Sequence, residues 1–576
     1  MRGLLHGAVL LECLLVGAVD ASPVSWYPWV SNGQQQTLAQ EKTQQHDSAA
    51  TILKDATLDA WLEKEETTAL SGLLANVAPG GVNTIGAAPG TVIASPSKSH
   101  PNYYFQWVRD AAITTSTLVD VYASNATSPL AEKISSFLAD YAHLQVRLQR
   151  TPNPSGNFSS LSSLGEPKFM VDGTPFTGSW GRPQRDGPAL RALTLMRYLR
   201  AYNQTHPALW TSADGGGSWF KELYEASMPA LSIIKADLEY VSHHWRDSGF
   251  DLWEEVNGLH FFTAMVQRHA LLEGAQLAAL FDDPGAADWY ARQAEEMRHE
   301  FLPSFWDEDK GHLVSTLDTL RSGLDCAIPL GAIHGSSLSS FSSFSSPSSA
   351  DADTFPATAD GIDSIFAPFS DEVLVSTYDL IIDQRHRFPI NAAAALSPDP
   401  LAGVGIGRYP EDVYNGDGTS VGNPWFLCTA SVAELFYRTA VHAQSQGWLQ
   451  VSPAALRFWN AVNPAITQAV NISSSPLSSP LSFSSSPSSA SSKPLENSMT
   501  DDDDNNGALF NHTLHRLRDV ADNFLAVVKH HADAQGSLSE QFDGFTGYER
   551  GARDLTWSYG ALVEAVKWRR RAYRGV

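Results

Sequence analysis

Apolar residues recur at three- and four-residue spacing along most of this chain, and no run of alternating β-branched residues is long enough for a large sheet. That pairing constrains the fold more than anything else: helical stripes must bury one another. The clear segments are 54–76, 105–123, 129–150, 187–203, 218–241, 257–281, 285–302, 371–384, 425–444, 453–469, 508–533 and 554–571, with a short one at 325–333. Pro188 and Pro424 stand at first turns, and Asp554 precedes Leu-Thr-Trp as a cap. The spacing predicts an all-α domain of many helices. At roughly 150 residues per domain the length allows several domains, but the same texture runs from end to end.

Two stretches interrupt it, 335–353 and 472–506, both Ser/Pro-rich. They cannot bury enough apolar area to offset chain entropy and read as surface insertions into one domain. The DDDD run at 501–504 reads as a solvated tail of the second insertion, because it lacks the Gly and distal Glu of an EF-hand. Residues 1–21 read as a secretory signal, with Arg2, an apolar run and small residues before Ser22, although Glu12 interrupts the run. The expected organisation is signal 1–21 and one catalytic domain over 22–576. Nothing else has the apolar length of a membrane span. Cys326 and Cys428 remain after signal removal and either pair or stay free. Asn125, Asn157, Asn203, Asn471 and Asn511 fit the N-x-S/T rule, which with the signal favours the secretory route.

Net charge is −24, against a phosphate-backbone partner. Sixteen Trp in a chain with only 18% charged residues suit a surface that touches something polar and uncharged. The Gly-, Trp- and Arg-rich segments cluster in connections before alternate helices, at 100–110, 178–187, 249–258, 403–425 and 540–554. If alternate helices form an inner ring, these connections open at one end and build one pocket.

The strongest chemical signal is Asp251-Leu252-Trp253-Glu254-Glu255-Val256-Asn257-Gly258. Three carboxylates in five residues usually mark a solvated helix start. Here the neighbours are apolar, and crowding beside Trp253 is expected to raise a carboxyl pKa, as a general acid needs. Glu540, in Ser539-Glu540-Gln541-Phe542-Asp543, gains interest as its distant partner, because glycoside hydrolysis uses two carboxylates facing across a slot. Arg109-Asp110, after Tyr103, Tyr104, Phe105 and Trp107, can grip sugar hydroxyls with donors and acceptors. Trp180 is presented by Gly178-Ser179-Trp180-Gly181, and Arg408 by Gly407-Arg408-Tyr409-Pro410-Glu411-Asp412. The glycine spacing at 403–407 lacks the context of a nucleotide loop, no G-x-S-x-G elbow or P-loop occurs, and the pairs His243-His244 and His530-His531 lack metal-ligand spacing.

At these segments together, over most of residues 50–576, the chain resembles the fungal glucoamylases of glycoside hydrolase family 15. YYFQWVRD, GSWGRPQRDG, DLWEEVNG, GRYPED with GNPWFLCT, and SEQFD with ARDLTWSY stand in the family's order. The resemblance implies an (α/α)6 barrel. It implies Glu254 as general acid and Glu540 as general base. It implies that Arg109, Asp110 and Arg408 hold the terminal glucose, with Trp180, Asp251, Glu255 and Trp557 at the pocket wall and neighbouring subsite. Tyr103, Trp107 and Trp425 are implied as wall or support. The residues 415–421 lengthen one rim loop, and the disulfide cysteines of the filamentous-fungal enzymes are largely missing. The chain stops at Val576, just after the last expected helix, so no starch-binding domain is expected.

The implied activity is exo-hydrolysis of α-1,4-glucans from non-reducing ends, slower on α-1,6 links, with inversion to β-glucose. Inversion requires the carboxyls to stand roughly 6.5–9.5 Å apart. Neither metal nor cofactor is expected, nor a nucleic-acid or membrane partner, and the default assembly is a monomer. The rivals are another family-15 activity, on trehalose or α-1,6-linked dextran, and an inactive glucan-binding protein.

Overall fold

The computed structural model describes residues 57–206, 221–336, 365–474 and 501–574. The expected signal and most of both insertions lie outside these residues. Fourteen α-helices occur among the described residues: α1 Thr57–Ala75, α2 Val108–Ser124, α3 Pro129–Arg150, α4 Asp186–Thr205, α5 Ile233–His244, α6 Phe261–Leu280, α7 Pro284–Glu296, α8 Ala327–His334, α9 Asp371–Arg387, α10 Ala392–Leu396, α11 Phe426–Gln446, α12 Leu456–Val462, α13 Asp501–His531 and α14 Thr556–Arg574.

Six of them close a ring. Helix α2 packs on α4, α4 on α6, α6 on α8, α8 on α11, α11 on α14, and α14 back on α2. A second layer covers them: α3 lies on α2, α5 on α4, α7 on α6, α9 on α8, α13 on α11 and α1 on α14. This alternation of inner and outer helices is the (α/α)6 barrel expected from the resemblance. The inner helices are buried nearly all round, as in α6 (Phe261–Val266) and α11 (Phe426–Ala440), because each has a partner on both sides and another behind. Outer helices keep a polar face, as α1 does. Cys326, at the start of α8, and Cys428, in the first turn of α11, are bonded across two neighbouring inner helices, with Cα atoms 5.9 Å apart.

The helical spacing located the helices but not every boundary. The segment expected at 218–241 is interrupted: residues 221–223 are helical, 224–232 are not, and helix α5 runs from Ile233; Pro229, which cannot donate to a helix, stands in the non-helical residues between. The segment 453–469 shrinks to α12, which ends before Asn463-Pro464, where the residue preceding proline is pushed out of the helical region. The second Ser/Pro-rich stretch is shorter than expected. Residues 472–473 belong to Val470–Ser473, a strand paired with Trp448–Val451, and 501–506 form the start of α13.

Candidate active site

Every inner helix begins at the same end, so the connections leading into Val108, Asp186, Phe261, Ala327, Phe426 and Thr556 gather there. Miniature antiparallel pairs fix them. Gln106–Trp107 pairs with Lys168–Phe169, Gly249–Phe250 with Asn257–Gly258, and Gln541–Phe542 with Glu549–Arg550. The second pair clamps residues 251–256 into a tight loop. Asp251 is buried, and its Oδ1 accepts from the backbone N–H of Glu255 (2.7 Å) and Val256 (2.8 Å), so it shapes that turn. At the tip Glu254 takes φ +67°, a left-handed conformation uncommon for a residue with a side chain. Such strain persists only where the surroundings hold it.

The surroundings do hold it. Trp107 Nε1 donates to Glu254 Oε1 at 2.7 Å, and Gln184 Nε2 to the same oxygen at 2.9 Å. Arg109 Nη2 lies 3.6 Å from that oxygen. Arg109 is itself buried and anchored by Asp186 and the Gln184 carbonyl, both at 2.9 Å, with Asp110 at 3.5 Å. Burial pushes the Asp110 carboxyl up to about 6, against the pull of Arg109. Trp180 is half-buried, its ring 6.0 Å from Trp107. A Cβ on Gly181 would come within 2.9 Å of the Glu254 carbonyl, so glycine lets the Trp180 loop lie against the Glu254 backbone.

Glu255 points into a cation network. Arg408 Nη2 donates to its Oε1 at 2.8 Å, Arg321 Nη2 to its Oε2 at 2.9 Å, and the Tyr409 hydroxyl to Oε2. Arg408 is also held by Asp412 at 2.8 Å and lies between 5.2 and 5.5 Å from the rings of Trp253, Tyr409, Tyr414 and Trp425. The sequence led us to expect crowding to raise a carboxyl in this cluster. For Glu255 the opposite holds: burial would raise it, but Arg408, Tyr409 and Arg321 outweigh burial and hold it below the usual glutamate value. Those groups come from two distant loops, so local sequence could not show them.

Glu540 differs in every respect. It is fully buried, between Ser539 and the Gln541–Phe542 strand, with its N–H bonded to the Ala552 carbonyl at 2.8 Å. Oε2 receives the Tyr414 hydroxyl (3.2 Å) and the Ala552 N–H (3.3 Å), while Oε1 has no hydrogen-bond partner among the described residues. Burial pushes this carboxyl up to about 7, against Tyr103, Ala552, Arg408 and Tyr414, which favour the anion. Gly551 makes room: with φ +74°, a Cβ there would lie 2.2 Å from Glu540 Oε2.

Tyr103 and Trp107 join the two carboxyls. Their rings stand 5.4 Å apart; Trp107 bonds Glu254, and the Tyr103 hydroxyl lies 3.2 Å from that of Tyr414, beside Glu540. Arg408 bonds Glu255 and its charge reaches Glu540. Tyr103, Trp107, Arg109, Asp110, Trp180, Glu254, Glu255, Arg408 and Glu540 thus form one site. Trp557, buried in the first turn of α14, stands apart from this group and lines the cavity on the barrel axis.

Three contributors escaped the sequence reading. Gln184 lies within GSWGRPQRDG, where nothing local marks it as a partner of Glu254. Tyr414 sits in the loop that continues into the lengthened rim. Lys168 is buried under four rings, 3.5 Å from the centroid of Trp180 and 4.1 to 4.4 Å from Phe105, Trp107 and Phe176, and burial lowers its ammonium to about 8. The only local signal for it was its place in a short strand facing the YYFQW aromatics.

Residues 67–567 match the family described as glycosyl hydrolases family 15. The chain is 37% identical over 531 residues to a glucoamylase of Saccharomycopsis fibuligera, covering 89% of this chain and 91% of that one. It is 31% identical to a probable glucoamylase of Schizosaccharomyces pombe, over 91% and 94% of the two chains. Among solved structures, the S. fibuligera glucoamylase superposes with a TM-score of 0.73 at 35% identity, covering 91% of this chain and 97% of that one. The Hypocrea jecorina glucoamylase superposes at 0.70 and 33% identity, over 89% and 72%. With its (α/α)6 barrel and its paired carboxyls at the mouth of the inner ring, the chain belongs to glycosyl hydrolases family 15.

Proposed function

We propose that this protein is a glucoamylase: an exo-acting hydrolase that removes glucose from the non-reducing ends of α-1,4-glucans, more slowly at α-1,6 links, and releases it as β-glucose. What carries the reading is the pairing of two unlike carboxyls, from loops far apart in sequence, within one aromatic-walled site. Glu254 is the general acid. Trp107, Gln184 and Arg109 all address its Oε1, so its proton belongs on Oε2, from which it passes to the glycosidic oxygen. Glu540 is the general base. Its Oε2 is committed to Tyr414 and Ala552, which leaves the unpartnered Oε1 to take a proton from water. Water attacks the anomeric carbon as the leaving group takes the proton from Glu254, and the configuration inverts.

The remaining groups hold and shape the substrate. Arg109, Asp110 and Arg408 grip the terminal glucose, with Trp180, Asp251 and Glu255 at the wall and neighbouring subsite. Lys168 braces the Trp180 platform through the four rings around it. Residues 22–576 act as one catalytic domain behind a secretory signal, and the product is a secreted, N-glycosylated monomer. Asn125, Asn157, Asn471 and Asn511 are exposed and suit modification; Asn203 is half-buried.

Polarimetry during maltose cleavage tests substrate and stereochemistry together. The first-formed glucose is expected to be the β-anomer. Release of α-glucose would mean a retaining enzyme, and cleavage of trehalose or isomaltose in preference to maltose would reassign the substrate.

A further inference from the structure

The second feature of the barrel is the cavity on its axis. It has a volume of about 640 Å³ and is lined by all six inner helices, mainly their later turns. Trp557, in the first turn of α14, stands at its deep end; Arg571, fourteen residues on and about 21 Å away along the helix, stands near its mouth. Ala123, Ser124, Gln204 and Arg571 are exposed there. Glu254, Glu540, Arg109 and Arg408 contribute nothing to its lining. It opens at the end of the ring opposite the candidate active site.

Its lining is charged yet nearly balanced. Arg197, Arg200, Arg438, Lys567 and Arg571 face Asp120, Glu273, Glu434 and Glu564. Lys567 bonds Asp120 at 2.5 Å and also Glu564; Arg200 bonds Glu273 at 2.5 Å; Arg438 bonds Glu434 at 2.6 Å. Arg197 lies within the field of all four carboxylates, which come from four different helices, yet 48% of its side chain stays accessible. Interiors are normally filled by apolar side chains at crystal-like density, and burying ions is expensive. Charges arranged round an open volume are therefore not explained by packing.

Two orphan atoms point to what the volume holds. Glu564 Oε1 and Trp568 Nε1 are buried with no hydrogen-bond partner among the described residues. One is an acceptor and the other a donor. They lie four residues apart on α14, hence on one helical face, and both residues line the cavity. A hydroxyl is the group that can accept from an indole N–H and donate to a carboxylate. An excess of one cation leaves little charge for an ion to neutralise, whereas a molecule with several hydroxyls can bridge adjacent carboxylates and guanidinium groups. The volume lies within the usual range for small-ligand sites.

We propose that the far mouth of the barrel is a second, non-catalytic binding site for a small neutral polyhydroxylated molecule of mono- or disaccharide size. The test uses the full chain labelled with 5-fluorotryptophan and titrated with D-glucose, reading ¹⁹F resonances. Trp568→Phe identifies one signal and Trp180→Phe another. Glucose is expected to shift both in the wild type. Arg109→Ala should weaken the Trp180 response at least tenfold and leave the Trp568 response intact. Ala123→Phe, which narrows the mouth away from the ion pairs, should abolish the Trp568 response and leave hydrolysis unchanged. If that variant does not fold, Glu564→Ala should weaken the Trp568 response at least tenfold. The proposal fails if the Trp568 signal stays still while glucose saturates the Trp180 response. It fails equally if inorganic phosphate, run in parallel, moves Trp568 and glucose does not.

Discussion

The two walls of the candidate active site solve opposite electrostatic problems. On the Glu254 side, cations and N–H donors converge: Arg109 and Gln184 at Glu254, Arg408 and Arg321 at Glu255. On the Glu540 side, carboxyls are desolvated. Glu540 and Glu549 are pushed up to about 7 by burial, and Glu65, beyond Glu549, to about 8. Cations hold Glu255 as an anion on one wall, whereas burial makes the charge of Glu540 expensive on the other. A proton donor needs a carboxyl whose proton is steered to one oxygen. A base that attacks through water needs a carboxylate that gains by taking a proton, which burial supplies. The elevated Glu540 is also the one feature favouring exchanged roles, because a raised pKa suits an acid.

Replacing either carboxyl with an amide breaks the comparison most severely. Glu254→Gln and Glu540→Gln should each lower kcat on maltose by about 10²–10⁴-fold, with unchanged circular dichroism. An α-glucosyl substrate with a good leaving group needs no protonation, so it distinguishes the walls. Glu254→Gln should regain much of its rate there, whereas Glu540→Gln should not. The opposite pattern would exchange the two roles.

Gly551→Ala attacks the base wall alone. A methyl group placed 2.2 Å from Glu540 Oε2, at φ +74°, must displace the carboxyl or the hairpin. The expected cost is about 10- to 100-fold in kcat/KM, as for a misplaced catalytic group. The fold should suffer little, which a thermal melt beside the kinetics can check.

Tyr414→Phe is gentler. It removes a hydroxyl that donates to Glu540 Oε2 and so favours the anion. With that donor gone the Glu540 pKa rises further. If Glu540 must be ionised, the acid limb of kcat/KM moves to higher pH. A shift to lower pH, or movement of only the alkaline limb, would assign the limb to another group.

The sequence revealed each wall to a different depth. Glu254, Glu540, Arg109 and Arg408 were legible because each sits in a dense motif just before an inner helix, and helical spacing alone located those helices. The electrostatic contrast was not legible. Three carboxylates in DLWEEV looked like mutual repulsion, whereas Arg321 and Arg408 arrive from loops over sixty residues away and reverse the sign for Glu255. Glu540 looked like any glutamate before a loop, because its burial comes from the fold around it. Periodicity likewise could not distinguish polar residues facing solvent from those facing the barrel axis, so Glu434 and Glu564 gave no sign of the cavity between them.

The smallest effect concerns stability on the desolvated side. Glu65 is 2% exposed, its Oε1 has no hydrogen-bond partner among the described residues, and burial raises its carboxyl from 4.5 to about 8, with Asp533 and Glu549 adding to the rise. A carboxyl whose folded pKa exceeds its unfolded value holds its proton more tightly in the fold. It costs nothing below pH 4.5, destabilises progressively as pH rises from there towards 8, and reaches its full penalty above. Glu65→Gln keeps the neutral shape at every pH. The variant should match the wild type in a thermal melt at pH 4 and exceed it by about 1–3 kcal/mol at pH 8. A gap that stays constant with pH would mean that Glu65 does not hold its proton in the fold. The desolvation ascribed to this side would then be confined to the pocket around Glu540.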